Sequence, residues 1–129
     1  MTEDDMSQYQ VQWSQPVSVH LDSMGVTLYS NPPPASGAIM AYILNILDHY
    51  NIQPDDDEAL LYHRITEAFK WAFAQRTELG DPNDSDITDI VNNLVANLTD
   101  KSQARDVWSR ISGRKTSEMS FSGAKTILK

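Results

Sequence analysis

The stretch Asn31-Pro32-Pro33-Pro34-Ala35-Ser36-Gly37, followed by AIMAYILNIL over residues 38–47, decides how the rest of the chain is read. Asn31 precedes proline and is pushed out of helical geometry, and residues 32–34 continue as polyproline II. Proline has no amide hydrogen to give to a ladder, so a strand cannot run through this point. Ser36 is placed as an N-cap, with a helix predicted over 37–50. Ala35, Ser36 and Gly37 carry little bulk, which lets another backbone come close. The stretch therefore reads as a stiff corner from strand to helix. A proline-rich ligand is disfavoured, because there is no P-x-x-P spacing and the apolar run begins at once.

The helix after the corner holds Ala38, Ile39, Met40, Ala41, Tyr42, Ile43, Leu44, Ile46 and Leu47, which lie on every side of it. A helix without a polar face has to be enclosed all round. With three or four other elements available, the expectation is that this chain lacks part of that helix's surroundings.

Upstream, residues 1–8 are acidic and polar, and are read as frayed or as a short helical turn. YQVQW (9–13), VSVHL (17–21) and VTLYS (26–30) alternate with the two-residue period of a strand. The last two are predicted to form a hairpin turning at residues 22–25. Downstream, Pro54 and the run Asp55-Asp56-Asp57-Glu58 open a helix whose acidic first turn offsets the helix dipole. Its apolar face is Leu61, Ile65, Ala68, Phe69, Ala72 and Phe73, and Gly80 with Pro82 marks its end. Further helices are predicted over 87–96, through Ile87, Ile90, Val91, Leu94 and Val95, and over 101–111, through Ala104, Val107, Trp108 and Ile111. From Gly113 the tail turns basic and loses periodicity. The fold expected of the chain alone is mainly α with a short β-hairpin.

At 129 residues, 40% of them apolar and 22% charged, the chain is the size and composition of one globular domain. Its net charge of −8 argues against nucleic acid as a partner. Without cysteine there is no disulfide, thiolate metal site or Cys nucleophile. The N-terminus MTEDDM lacks the features of a signal peptide, and the apolar run 38–47 is half the roughly 20 residues that a membrane helix needs.

No active site assembles from the residues. His20, His49 and His63 have no ligand spacing; His63 and Glu67 share a helix face, but two ligands do not make a zinc site. Asp81, Asn83 and Ser85 match the first three ligand positions of a calcium loop. Asp86 then stands where glycine is needed, and Asn92 where glutamate is needed. Asn83-Asp84-Ser85 and Asn97-Leu98-Thr99 fit the glycosylation pattern. No catalytic, substrate-binding or metal residue is assigned, and no cofactor is expected.

Taken together, VTLYSNPPPASGAIMAYILNIL, LLYHRITEAFKWAFAQRTELGDP and, more loosely, YQVQWSQPVSVH resemble the γ-glutamyltranspeptidase (glutathione hydrolase) family, in its order and separation. The likeness covers about residues 1–112, the later part of the large subunit, and leaves 113–129 as a non-matching tail. It implies part of an αββα N-terminal-nucleophile hydrolase, in which a new N-terminal threonine attacks the γ-glutamyl amide of glutathione and passes the acyl group to water or an amine. It also implies as partners the remaining large-subunit segments and the small subunit, in a family whose complete members are typically exported or membrane-anchored. That threonine follows a glycine, and this sequence has no Gly-Thr pair. Thr2 would be N-terminal once Met1 is removed, yet EDDM follows where a buried strand should begin. Arg64, Glu67, Lys70 and Arg76 lie in the family-like helix and are read as ion pairs and helix-surface groups. The leading expectation is a large-subunit segment that is inactive alone. The alternative is a stand-alone helical module that binds a partner chain.

Overall fold

The computed structural model describes residues 1–111, 113, 115 and 116. In chain order the elements are α1 (Glu3–Ser7), β1 (Val17–Leu21), β2 (Val26–Ser30), α2 (Gly37–Asp48), α3 (Glu58–Arg76), α4 (Thr88–Thr99) and α5 (Lys101–Arg110). The described residues are mainly helical with one two-stranded antiparallel sheet, as the sequence predicts. Among the described residues no helix is long and apolar enough to cross a membrane.

β1 and β2 pair from Val17↔Ser30 to Leu21↔Val26. Val17, Val19 and Leu21 turn inward, while Ser18 and His20 turn to solvent, which is the predicted alternation. Gly25 closes the turn at φ 65°, a region where a side chain would be strained. YQVQW, in contrast, forms no strand, and Tyr9, Val11 and Trp13 are all exposed. Alternation supplies a sheet face but not a neighbour, and β1 is hydrogen-bonded to β2 alone.

At the corner, Gly37 stands so close to the incoming chain that a β-carbon there would lie 2.0 Å from the Asn31 carbonyl oxygen and 2.9 Å from the Asn31 nitrogen. The small residues do let backbone meet backbone, and Gly37 is the one that must be small. Ser36 occupies the N-cap position of α2 without using its side chain; its carbonyl takes the amides of Ile39 and Met40 instead.

α2 is the hub, touching both strands and α3, α4 and α5. Here the expectation of an unenclosed helix fails. Ala38, Ile39, Ala41, Tyr42, Ile43 and Ile46 are all buried within this chain, and Met40 is the one large apolar side chain of α2 left exposed, at 51%. Five elements suffice because small residues sit at several of the contacts among large aliphatic ones. Ala38, Ala41, Ala68, Ala72 and Ala104 are completely buried, and small side chains let helices approach closely.

α3 departs from its predicted face. Ala68 and Ala72 are buried, but Phe69 and Phe73 point outward. Glu67 and Gln75 take up inward positions on either side of the alanines. α3 also stops at Arg76, ahead of Gly80, as Glu78 and Leu79 tighten into three-residue turns onto Gln75 and Arg76. Of the acidic run, Asp57 is the cap, accepting from the Leu60 amide at 2.9 Å. Asp56 instead ties the preceding loop at Gln53.

α5 begins immediately after α4 because Asp100 caps it. One Asp100 carboxylate oxygen accepts from the Ser102 amide at 2.7 Å and the Gln103 amide at 3.1 Å. The Ser102 hydroxyl donates to the same oxygen, and it, with the two amides, lowers the carboxyl from its ordinary value. Asp100→Ala is expected to cost about 1 kcal/mol, the typical value of an N-cap. Urea unfolding followed by circular dichroism at neutral pH checks it.

Candidate functional site

The polar residues of α2 show where chemistry could sit. Asn45, fully buried, donates to the Thr99 carbonyl at 3.4 Å, leaving its own side-chain oxygen unpaired. One turn later Asp48, with its side chain 3% exposed, meets the hairpin turn and α5 together. Its carboxylate accepts from the backbone amides of Asp22 (2.8 Å) and Ser23 (2.9 Å), from the Ser23 hydroxyl (2.5 Å) and from Lys101 Nζ (3.0 Å). Lys101 also reaches Asp22 at 3.0 Å. Burial opposes the charge on Asp48, but the hydrogen bonds from Ser23 and Lys101 outweigh it and hold the carboxyl at about 2. A carboxylate with all these donors is a poor base, and the node fastens α2, the hairpin turn and α5 to one another.

A second polar region lies between the end of α2, α3 and α5. The Tyr50 ring carries the Arg64 guanidinium 4.4 Å above its centre, and packs edge-on to Trp108. Burial raises the Tyr50 hydroxyl, with Arg64 opposing and Glu67 adding to the shift. Glu67 forms the expected kind of ion pair, with Lys70 Nζ at 2.9 Å, but at 1% exposure it does so in the interior rather than on the helix surface. Arg76 lies over Phe73.

The remaining sequence candidates scatter. His20 Nδ1 is 3.1 Å from the Thr27 hydroxyl on the exposed face of the hairpin, His49 packs on Trp108, and His63 is half-buried on α3. Asp81 spends one carboxylate oxygen on the Asn83 amide and side chain, both at 2.9 Å, closing the loop that imitates a calcium site. Among the described residues no three His, Cys, Asp or Glu side chains are placed to hold a metal. Asn83 is exposed in that loop, whereas Asn97 is half-buried in α4 and the Thr99 hydroxyl of its triplet donates to the Val95 and Ala96 carbonyls. Thr2 caps α1 by accepting from the Asp5 amide, in an exposed turn. The histidine and threonine candidates lie apart from one another, and Asp81 and Asn83 of the calcium-loop candidates meet only in hydrogen bonds to each other.

An open groove of about 420 Å³ lies beside the corner, lined by Ser14, Pro16, Pro32, Pro33, Val95 and Thr99 among others. Its lining offers hydroxyls, amides and proline rings but no acid or base. The groups that sequence reading missed are the Asp48–Lys101–Asp22 node and the buried Asn45 and Gln75. Asn45 and Asp48 were visible as the polar interruptions of an apolar helix. Nothing local marked Lys101 as their neighbour.

Comparison with known proteins places this architecture. A γ-glutamyltranspeptidase family model matches residues 1–127, a span that takes in most of the tail set apart at 113–129. Glutathione hydrolase 2 of Arabidopsis thaliana is 38% identical over 122 residues, which is 94% of this chain and 20% of that relative. A γ-glutamyltranspeptidase from Pseudomonas nitroreducens, solved in complex with L-DON, superposes with a TM-score of 0.75 at 29% identity, over 92% of this chain and 35% of that one. The Helicobacter pylori γ-glutamyltranspeptidase superposes with a TM-score of 0.74 at 25% identity, over 92% and 33%. The helices and hairpin are thus a portion of an N-terminal-nucleophile hydrolase fold. The chain belongs to the γ-glutamyltranspeptidase family, and it spans about a fifth of the length of curated relatives such as Arabidopsis glutathione hydrolase 2.

Proposed function

We propose that this chain is the later part of a γ-glutamyltranspeptidase large subunit. It supplies helical scaffold to an enzyme that hydrolyses or transfers the γ-glutamyl group of glutathione, and it does not turn over substrate by itself. The observation that carries this reading is the pairing of a TM-score of 0.75 over 92% of the chain with a span of only 35% of the solved enzyme. A segment that keeps the family's local fold over a third of its length is suited to positioning other parts. The Asp48 node fits that role, since it uses a carboxylate and an ammonium to lock α2, the hairpin and α5. The chemistry requires an N-terminal threonine at a glycine-threonine junction, and the sequence has no such pair. The partners proposed are the remaining large-subunit segments and the small subunit.

Purified chain incubated with a γ-glutamyl p-nitroanilide is expected to release no p-nitroaniline above blank. Release that disappears when Thr2 is replaced would overturn the reading.

The alternative of a helical module binding its partner in trans draws support from one feature, the exposed aromatic face of α3.

A further inference from the structure

The outward residues of α3 are not scattered. Tyr62, Thr66, Phe69, Phe73 and Arg76 are exposed at steps of four, three, four and three residues. That is the spacing of a seam that packs against a second helix. Tyr62 is 61% exposed, Phe69 45% and Phe73 51%, and the two phenylalanine rings lie 6.4 Å apart as a continuous strip. The opposite side of α3 is already committed, with Glu67, Ala68, Ala72 and Gln75 turned inward. The other exposed large apolar side chains among the described residues stand differently. Met1, Met6, Tyr9, Val11 and Trp13 lie on the N-terminal turn and the segment after it, Met24, Val26 and Tyr29 on the hairpin, Ile52 in the loop before α3, and Met40, Ile90 and Trp108 singly on other helices. Tyr9, Val11 and Trp13 are exposed at alternate positions but lie on no helix or strand, whereas Tyr62, Phe69 and Phe73 are three exposed aromatic positions in register on one helix.

We propose that this seam is the docking face for an α-helix from the portion of a γ-glutamyltranspeptidase polypeptide outside residues 1–129; the inference rests on the scaffold reading above. The lengths supply the occupant, since about two thirds of each solved chain that this one superposes on lies outside the matched region. The docking helix would present aliphatic side chains between the rings of Tyr62, Phe69 and Phe73. It would carry a carboxylate beside Arg76, whose guanidinium lies 5.8 Å from the centre of the Phe73 ring. Of α2 and α3, it is α3 that is left with an uncovered apolar strip.

The native sequence has no cysteine, so a single thiol reports access without background. Thr66 sits at the middle of the seam and Asn93 on the exposed side of α4. Thr66→Cys and Asn93→Cys are compared in the isolated chain and in a chimera. The chimera is a cysteine-free glutathione hydrolase 2 of Arabidopsis with this chain in place of its matching fifth. Maleimide labelling follows access of the thiolate, so Thr66→Cys is expected to react at least ~10-fold more slowly in the chimera, and Asn93→Cys at a similar rate in both. Equal rates for Thr66→Cys in a chimera that cleaves a γ-glutamyl anilide would overturn the seam while leaving the scaffold reading intact. A folded chimera that never cleaves the anilide would remove the scaffold reading, and the seam with it.

Discussion

Gly37→Ala is expected to lower the stability of the chain by about 3 kcal/mol, the upper part of the range for overpacking a site that cannot relax. The added methyl would lie 2.0 Å from the Asn31 carbonyl oxygen, and also 2.7 Å from the Ser30 hydroxyl. Asn31 is backbone leading into three prolines, so it has little freedom to retreat. Alanine's helix preference over glycine recovers at most about 1 kcal/mol, too little to offset the collision. Gly80 makes the informative comparison. A β-carbon there would lie 2.4 Å from Ile87 Cδ1, the far end of a flexible side chain that can rotate aside. Gly80→Ala should therefore cost under about 1 kcal/mol. Thermal unfolding followed by circular dichroism should show Gly37→Ala melting roughly 10 °C below the parent and Gly80→Ala close to it. Equal melting temperatures for all three would mean that the corner is not held by backbone contact.

Asp48 carries the second large effect, and its sign depends on pH. Its carboxyl is held at about 2 in the folded chain, against 3.8 as the ordinary value. A folded pKa below the unfolded one contributes stability that is fully present above about pH 4 and is lost as pH falls toward 2. The difference corresponds to about 2 kcal/mol. With its side chain 3% exposed, Asp48 is little screened by solvent, so most of that should be measurable. Asp22 and Ser23 donate to different oxygens of Asp48, so Asp48→Asn keeps an acceptor for only one of the two amides, and it leaves Lys101 without its buried counter-charge. It is expected to cost about 2–3 kcal/mol at neutral pH. The variant's stability should also change less than the parent's between pH 4 and pH 2. Urea unfolding across that window decides it, and parallel curves for the two proteins would show that the node contributes no pH dependence.

Much of the fold was legible because it is local. The hairpin followed from the alternation in VSVHL and VTLYS, and its turn from the break at Met24-Gly25. The place of the corner followed from its prolines but its shape did not, since the Ala35 amide donates to the Pro32 carbonyl and the Pro33–Pro34 bond is cis, a turn in place of the expected polyproline II. Helices over α2, α3, α4 and α5 followed from apolar spacing, α2 and α3 ending short of their predicted ends and α4 running three residues past its own. YQVQW shows where local pattern misleads, since a two-residue period is necessary for a strand but the adjacent edge must come from elsewhere. α3 shows it again. Ala68, Phe69, Ala72 and Phe73 form one broad apolar face in sequence, and spacing alone does not say which flank of it turns inward. The Asp48 node was illegible for a plainer reason. Its partners are 25, 26 and 53 residues away, and no local signal links them.

By itself the sequence determined the element types, the stiff entry into α2, and, through three distinctive stretches, membership of a family. Tertiary structure alone decided which helix is covered. Propensity and periodicity act within a few residues of chain, whereas enclosure depends on what the other elements bring across the gap. Fully buried alanines on α2, α3 and α5 bring those helices close enough to bury α2 and leave no room for the phenylalanines of α3. The need for a neighbour thus passes from the most apolar helix to an amphipathic one, for a steric reason that no single segment contains.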